Sequence, residues 1–168
     1  MKFLVSIAFL LTALQGAGQT ALQELLERYN TRSVPYISVE ELRMFQQNDS
    51  VVLLDAREWK EYEISHIEAA TFIGFSEFSE EKLATILPNK NQFIVVYCSL
   101  GIRSETISEK LKKAGYTQVE NLYGGIFEWK NKGYPVVNSR DQKTDSIHGY
   151  SKNWSRWLTN GTIILDNK

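Results

Sequence analysis

Two short unbroken apolar runs stand out along the chain, Val51–Leu54 (VVLL) and Phe93–Tyr97 (FIVVY). Runs of this length predict strands buried on both faces. Around them the apolar positions fall at helical spacing. Ser38 followed three residues later by Glu41 has the form of a capping box, and Leu42 and Phe45 give that helix its apolar side. Ser79 caps a second helix that turns Leu83, Ile86 and Leu87 inward and stops at Pro88. From Arg103 to Ala114 the residues Ile107, Leu111 and Ala114 share one face, and Gly115 ends the helix. Glu109 and Lys113 add an i, i+4 pair to it. Residues 58–64 predict one or two helical turns, and 125–132 a further helix. Tyr36–Ile37, Thr71–Ile73 and a segment beginning at Val119 complete the strands. Strands alternating with helices predict an α/β fold, a central mainly parallel sheet flanked by helices on both faces.

The ends read differently. Lys2 precedes the apolar stretch Phe3–Leu14, and Gln15-Gly16-Ala17-Gly18 supplies small residues. This pattern predicts a secretory signal peptide over 1–18. The stretch is short of the roughly 20 residues that span a bilayer. An uncleaved anchor or a buried N-terminal helix are the other readings. Cleavage would make the mature chain secreted, or periplasmic in a Gram-negative cell, with no membrane attachment left. Residues 19–37 form a lead-in helix (21–29) and strand, 38–137 the domain, and 138–168 a polar linker and tail. In the tail, Trp154, Trp157 and Leu158 fall on one face of a predicted helix. That face either docks on the chain's own core or covers a functional mouth, with His148 or Tyr150 shaping access to it. Asn48, Asn153 and Asn160 open Asn-x-Ser/Thr triplets, which matter only in a eukaryotic secretory route.

Composition narrows the function classes. Of 168 residues, 43% are hydrophobic and 23% charged, an ordinary globular balance. Lysine plus arginine (19) nearly cancels aspartate plus glutamate (20), so no basic excess marks a nucleic-acid partner. The single cysteine excludes an intrachain disulfide and a Cys-rich metal centre.

That cysteine, Cys98, directly follows the stronger apolar run, at the carboxyl end of a predicted strand where α/β proteins bind ligands. Ser99, Leu100, Gly101 and Ile102 then lead to Arg103 at a helix start. Loop N–H groups, the helix N-terminus and the Arg103 charge all favour thiolate over thiol. A buried, inert cysteine is the alternative. Asp55, Arg57, Glu61 and His66 follow the other run, VVLL. Arg57 is positioned to bind an anion. Asp55 orients Arg57 or caps the next helix, and His66 is a base or a packed, hydrogen-bonded ring. No partner at metal-ligand spacing accompanies His66.

Three segments in register resemble the signatures of rhodanese-homology domains: DAREWKEYEISHIEAA (55–70), YCSLGIRS (97–104) and NLYGGIFEWKNKGYPV (121–136). The resemblance covers about Ser38 to Val136. It implies the rhodanese-like three-layer fold and a sulfurtransferase with Cys98 carrying a persulfide. It implies that residues 99–103, with Ser104, cradle sulfur and substrate charge and that Arg57 lies near an anionic donor such as thiosulfate. Asp55, Glu61 and His66 would support the site. A thiol, a protein thiol or cyanide would accept the sulfur, without metal or organic cofactor. A persulfide carrier or a partner-binding module is the other reading. Phosphatases and arsenate reductases of related design use a loop one residue longer. Ser65-His66, Ala69-Ala70 and Thr71–Gly74 depart from the family pattern and bear on turn geometry. Ser99, Leu100 and Ile102 match neither the basic loop of thiosulfate enzymes nor a mercaptopyruvate pattern.

Overall fold

The computed structural model describes residues 21–48 and 50–166. The expected signal peptide lies outside them. The chain divides between Thr31 and Arg32 into two compact units. The first contains helix α1 (21–29), as the periodicity predicts. The second, from Arg32 onward, carries the sheet and the Cys98 segment.

Its centre is a five-stranded parallel sheet in the order β1-β5-β4-β2-β3. The strands are β1 (Tyr36–Ile37), β2 (Val52–Asp55), β3 (Thr71–Phe72), β4 (Phe93–Tyr97) and β5 (Gln118–Leu122). The two apolar runs thus become the inner strands β2 and β4, where burial on both faces suits them. Ile94 and Val96 on β4 and Leu54 on β2 pack with Leu83, Ile107, Leu111 and Tyr116 in one core cluster. Leu53 and Val95, at alternating positions, are equally buried and point to the opposite face.

The helices are α2 (Val39–Gln47), α3 (Trp59–Ile64), α4 (Glu80–Ile86), α5 (Arg103–Lys113) and α6 (Gly125–Asn131). The Ser38–Glu41 capping box forms on α2, and Ser79 caps α4. Ile86, expected inward, is exposed instead, at the last residue of α4, while Leu83 is buried in the core and Leu87 packs partly buried against it. Phe45 is partly exposed and tilts against Phe93, with ring centroids 4.9 Å apart.

The expected linker is structured. Lys143–Thr144 (β7) pairs antiparallel with Val136–Val137 (β6), and Asn138 side-chain and backbone bonds close the turn between them. Ser146–His148 (β8) pairs parallel with Thr162–Ile164 (β9). Between them α7 spans only Lys152–Ser155, so Trp154, Trp157 and Leu158 do not form one helical face. Trp157 Nε1 is buried without a hydrogen-bond partner among the described residues, while Leu158 is buried. No described helix is long and apolar enough to cross a membrane.

One close approach fixes the end of β4. The first amides of α6 meet the chain just beyond the strand: Ile126 N–H donates to Cys98 O (3.0 Å) and Phe127 N–H to Ser99 O (3.2 Å). Gly125 allows this contact. Its φ is +56°, and a Cβ there would sit 2.3 Å from Cys98 O and 2.7 Å from Ser99 C. Gly125→Ala is expected to lower stability by about 3 kcal/mol or more, the range of changes that strain a backbone and overpack a core. Urea unfolding of the two proteins checks this; a difference under ~1 kcal/mol would contradict it.

Candidate active site

Cys98 follows β4 directly, and Asp55 ends the neighbouring β2. The parallel sheet therefore brings both sequence clusters to its carboxyl edge, although 43 positions separate them in the chain. Cys98 is 2% exposed and forms the floor of a cavity of about 110 Å³. Ser99, Leu100, Ile102 and Arg103 line its sides, and Tyr150 and Trp154 its outer wall. Tyr150 and Trp154 of the tail thus line the Cys98 cavity, while Leu158 is buried.

The Cys98 loop turns back on its own sulfur. Gly101, at φ +106°, aims its N–H at Cys98 Sγ (3.1 Å). Ser104 Oγ lies 3.5 Å from the same sulfur. Burial alone would push the thiol up. The Arg103 charge, the Ser104 hydroxyl and the N–H groups of Ser104 and Gly101 outweigh it, so the thiol lies below its ordinary value.

Asn121 braces this loop from β5. Its Nδ2 donates to Gly101 O (2.8 Å), and its Oδ1 accepts from Ser104 Oγ (2.7 Å). A serine hydroxyl has one proton. While that proton goes to Asn121, the Cys98 thiol can donate to Ser104 Oγ; once Cys98 is a thiolate, the hydroxyl can turn to the sulfur. Asn121 is the residue that sequence reasoning passed over. Its signal is a polar amide two residues from Val119, on the buried alternation of β5.

Arg103 is held by Glu61. Nη1 donates to Oε2 (2.6 Å) and Nη2 to Oε1 (2.8 Å), a bidentate pair, and Nη2 also reaches Ser99 Oγ (3.0 Å). Ser99 Oγ donates in turn to Glu61 Oε1 (3.1 Å). Glu61 sits at the third position of α3 and accepts the Glu58 N–H (3.0 Å). Burial opposes its charge, but the Arg103 hydrogen bonds and charge dominate and lower the carboxyl below its usual range.

The remaining residues take places that the sequence did not fix. Arg57 is fully buried rather than open to the cavity. Its Nε and Nη2 bind Asp55 (3.0 and 2.7 Å), and Nη2 also binds Ser65 O (2.6 Å). Asp55 thus orients Arg57 and accepts its backbone N–H as well (3.0 Å). Burial disfavours the guanidinium, and the Asp55 carboxylate more than offsets this. His66 takes the packed reading: its ring stacks on Tyr62 (3.9 Å between centroids), Nδ1 lies 3.1 Å from Tyr62 O, and its backbone pairs with Val137. Among the described residues no cluster of three or more His, Cys, Asp or Glu could hold a metal ion.

Acid titration follows from the Glu61 pair. A carboxyl lowered by folding stabilises the protein above its unfolded value, about pH 4.3, and that stability is lost as pH falls through the folded value. Wild-type stability is expected to drop as pH falls below about 5, whereas Glu61→Gln, about 3 kcal/mol less stable at pH 7, drops less steeply. Urea midpoints across that range check this; parallel curves would contradict it.

Comparison with known proteins places this arrangement. Residues 38–132, more than half of the chain, match the Rhodanese-like domain family. "Putative sulfur carrier protein YrkF" of Bacillus subtilis (strain 168) is 38% identical over 104 residues, covering 61% of this chain and 55% of that protein. The tRNA uridine(34) hydroxylase of Legionella pneumophila (strain Paris) is 30% identical over 143 residues, covering 75% of this chain and 55% of its own. The chain thus spans about half the length of these two relatives. A rhodanese-related protein of Thermoplasma volcanium superimposes with a TM-score of 0.54 at 30% identity, covering 61% of this chain and 97% of that one. Thiosulfate sulfurtransferase of Pseudomonas aeruginosa has the same fold, with a TM-score of 0.60 at 24% identity over 84% of this chain and 26% of its own. The motifs, the parallel sheet and the family match agree, and the chain belongs to the rhodanese-like domain family.

Proposed function

We propose that this protein is a sulfurtransferase in which Cys98 carries a sulfane sulfur as a persulfide. The observation that carries this reading is a buried cysteine with a lowered thiol, facing a cavity and ringed by N–H and hydroxyl donors. The Cys98 thiolate attacks the outer sulfur of a donor, and the S–S bond to the donor's leaving group breaks. With thiosulfate the leaving group is sulfite. Gly101 and Ser104 N–H groups, aimed at Sγ, stabilise negative charge on sulfur. An acceptor thiolate or cyanide then attacks the persulfide's outer sulfur and restores the Cys98 thiolate. This is covalent catalysis in two half-reactions with ping-pong kinetics.

Arg103 supplies charge beside the sulfur. Arg57 acts as a positioning residue: Nε and Nη2 are bound to Asp55 and Ser65 within the interior, while Nη1 is buried without a hydrogen-bond partner among the described residues. The four residues between Cys98 and Arg103 favour sulfur over phosphate, since a shorter ring of N–H groups suits one atom better than a tetrahedral anion. The YrkF similarity favours a second reading, a carrier that waits for a specific protein acceptor. Export through the N-terminal segment is proposed from the sequence pattern alone.

Intact mass after incubation with excess thiosulfate or a hydropersulfide, before and after cyanide, tests both readings. The gain of one sulfur, its loss as thiocyanate with repeated turnover, and the absence of both in Cys98→Ser are expected for the enzyme. Sulfur gain without turnover would favour the carrier. No gain from either donor would overturn both.

A further inference from the structure

The outer wall of the Cys98 cavity comes from the segment after β7. Tyr150 has a φ of +62°, a conformation rare for a residue with a side chain, and its ring lies over the Arg103 guanidinium, 4.6 Å from Cζ to centroid. Trp154, on α7, lines the same cavity. His148 holds this turn in place. It is 1% exposed, accepts the Tyr150 N–H at Nδ1 (3.0 Å), and places Nε2 3.1 Å from Asp166 Oδ1. Asp166 also pairs with Lys60 at the start of α3. Gly149 completes the brace: a Cβ there would lie 2.8 Å from Ser155 Cβ and 2.9 Å from Ile163 Cγ2. The wall is therefore built, with a buried imidazole and a close backbone approach behind it.

Charge balance inside the site is the second observation. Both η nitrogens of Arg103 are on Glu61, and Tyr150 covers its face. Arg57 is buried on Asp55. These four charges cancel in pairs. Among the described residues lining the cavity, Arg103 is the one cation, and the loop residues Ser99, Leu100 and Ile102 carry no charge. A small dianion entering here loses hydration and meets a cation already neutralised by a carboxylate, which is costly. An apolar body meets Leu100, Ile102, Tyr150 and Trp154, two of them aromatic.

We infer that the site selects a thiol with an uncharged apolar or aromatic body over a small charged one, and that Tyr150 and Trp154 set this selectivity. The inference rests on the sulfurtransferase reading. Such a thiol enters in either direction. As a hydropersulfide, R–S–S–H, it gives its outer sulfur to the Cys98 thiolate: the Cys98 S–S bond forms, the donor S–S bond breaks, R–S⁻ leaves and the proton stays on the transferred sulfur. As a thiolate it attacks that sulfur and releases Cys98 by the reverse step. No external oxidant or reductant is needed.

The test uses the purified full chain, loaded with sulfur and freed of donor. Intact mass follows unloading by benzyl mercaptan and by 3-mercaptopropionate at matched thiolate concentrations. Cyanide added at the end reports the loaded fraction of each sample. Wild type is expected to unload about tenfold faster to benzyl mercaptan, in line with two aromatic contacts and one unfavourable buried charge. The ratio should fall toward unity in Tyr150→Ala and Trp154→Ala and persist in Tyr150→Phe, which keeps the ring. A wild-type ratio near unity would overturn the inference even if the alanine variants failed to fold. So would folded alanine variants that keep the wild-type ratio. Failure of Cys98 to load from any donor would instead overturn the sulfurtransferase reading beneath it.

Discussion

The buried pair between Glu61 and Arg103 is the contact on which this site depends. Glu61 is fully buried, and its carboxylate caps α3 at Glu58, accepts from Ser99 and binds Arg103 bidentately. One side chain thus joins the β2–α3 segment to the Cys98 loop and the start of α5. A lone buried carboxylate would take up a proton; the guanidinium keeps it charged, and it fixes the guanidinium in return. Arg103 consequently stands beside Cys98 in one orientation, close enough to lower the thiol although the pair is nearly neutral from a distance.

The loop has a matching constraint on its other side. The α6 amides take the carbonyls of Cys98 and Ser99, and Asn121 takes the carbonyl of Gly101. Acceptor atoms that would repel a thiolate are bound elsewhere, while the Gly101 N–H is directed at the sulfur. This division of the backbone needs Gly125, because any side chain there would collide with Cys98 O. The α/β frame, the loop and the α6 N-terminus therefore act as one device for holding charge on sulfur.

Much of the frame was legible in the sequence. FIVVY and VVLL announce inner strands because parallel strands covered on both faces need unbroken apolar runs. Ser38 with Glu41 announces α2 because the cap is local. Cys98 at a strand end, then Gly101 and Arg103, marks the site for the same local reason. Long-range pairings were not legible. Arg57 lies two residues from Asp55, and nothing in the chain says whether it turns to that carboxylate or to a ligand. Asn121 stands in a strand with no sequence mark of its partners, Gly101 and Ser104. The polar composition of 138–146 conceals a hairpin, because two-residue strands are too short to show a period. Trp154 and Trp157 suggested one helical face, but α7 stops at Ser155.

The central claim is that these donors lower the Cys98 thiol below its ordinary value despite its burial. The rate of Cys98 alkylation by iodoacetamide as a function of pH measures this directly, in wild type, Ser104→Ala and Arg103→Gln. A wild-type midpoint below the ordinary thiol value of about 9 is predicted, moving upward in both variants as a hydrogen bond or a charge is removed. A wild-type midpoint at or above that value, unmoved by either substitution, would contradict the account.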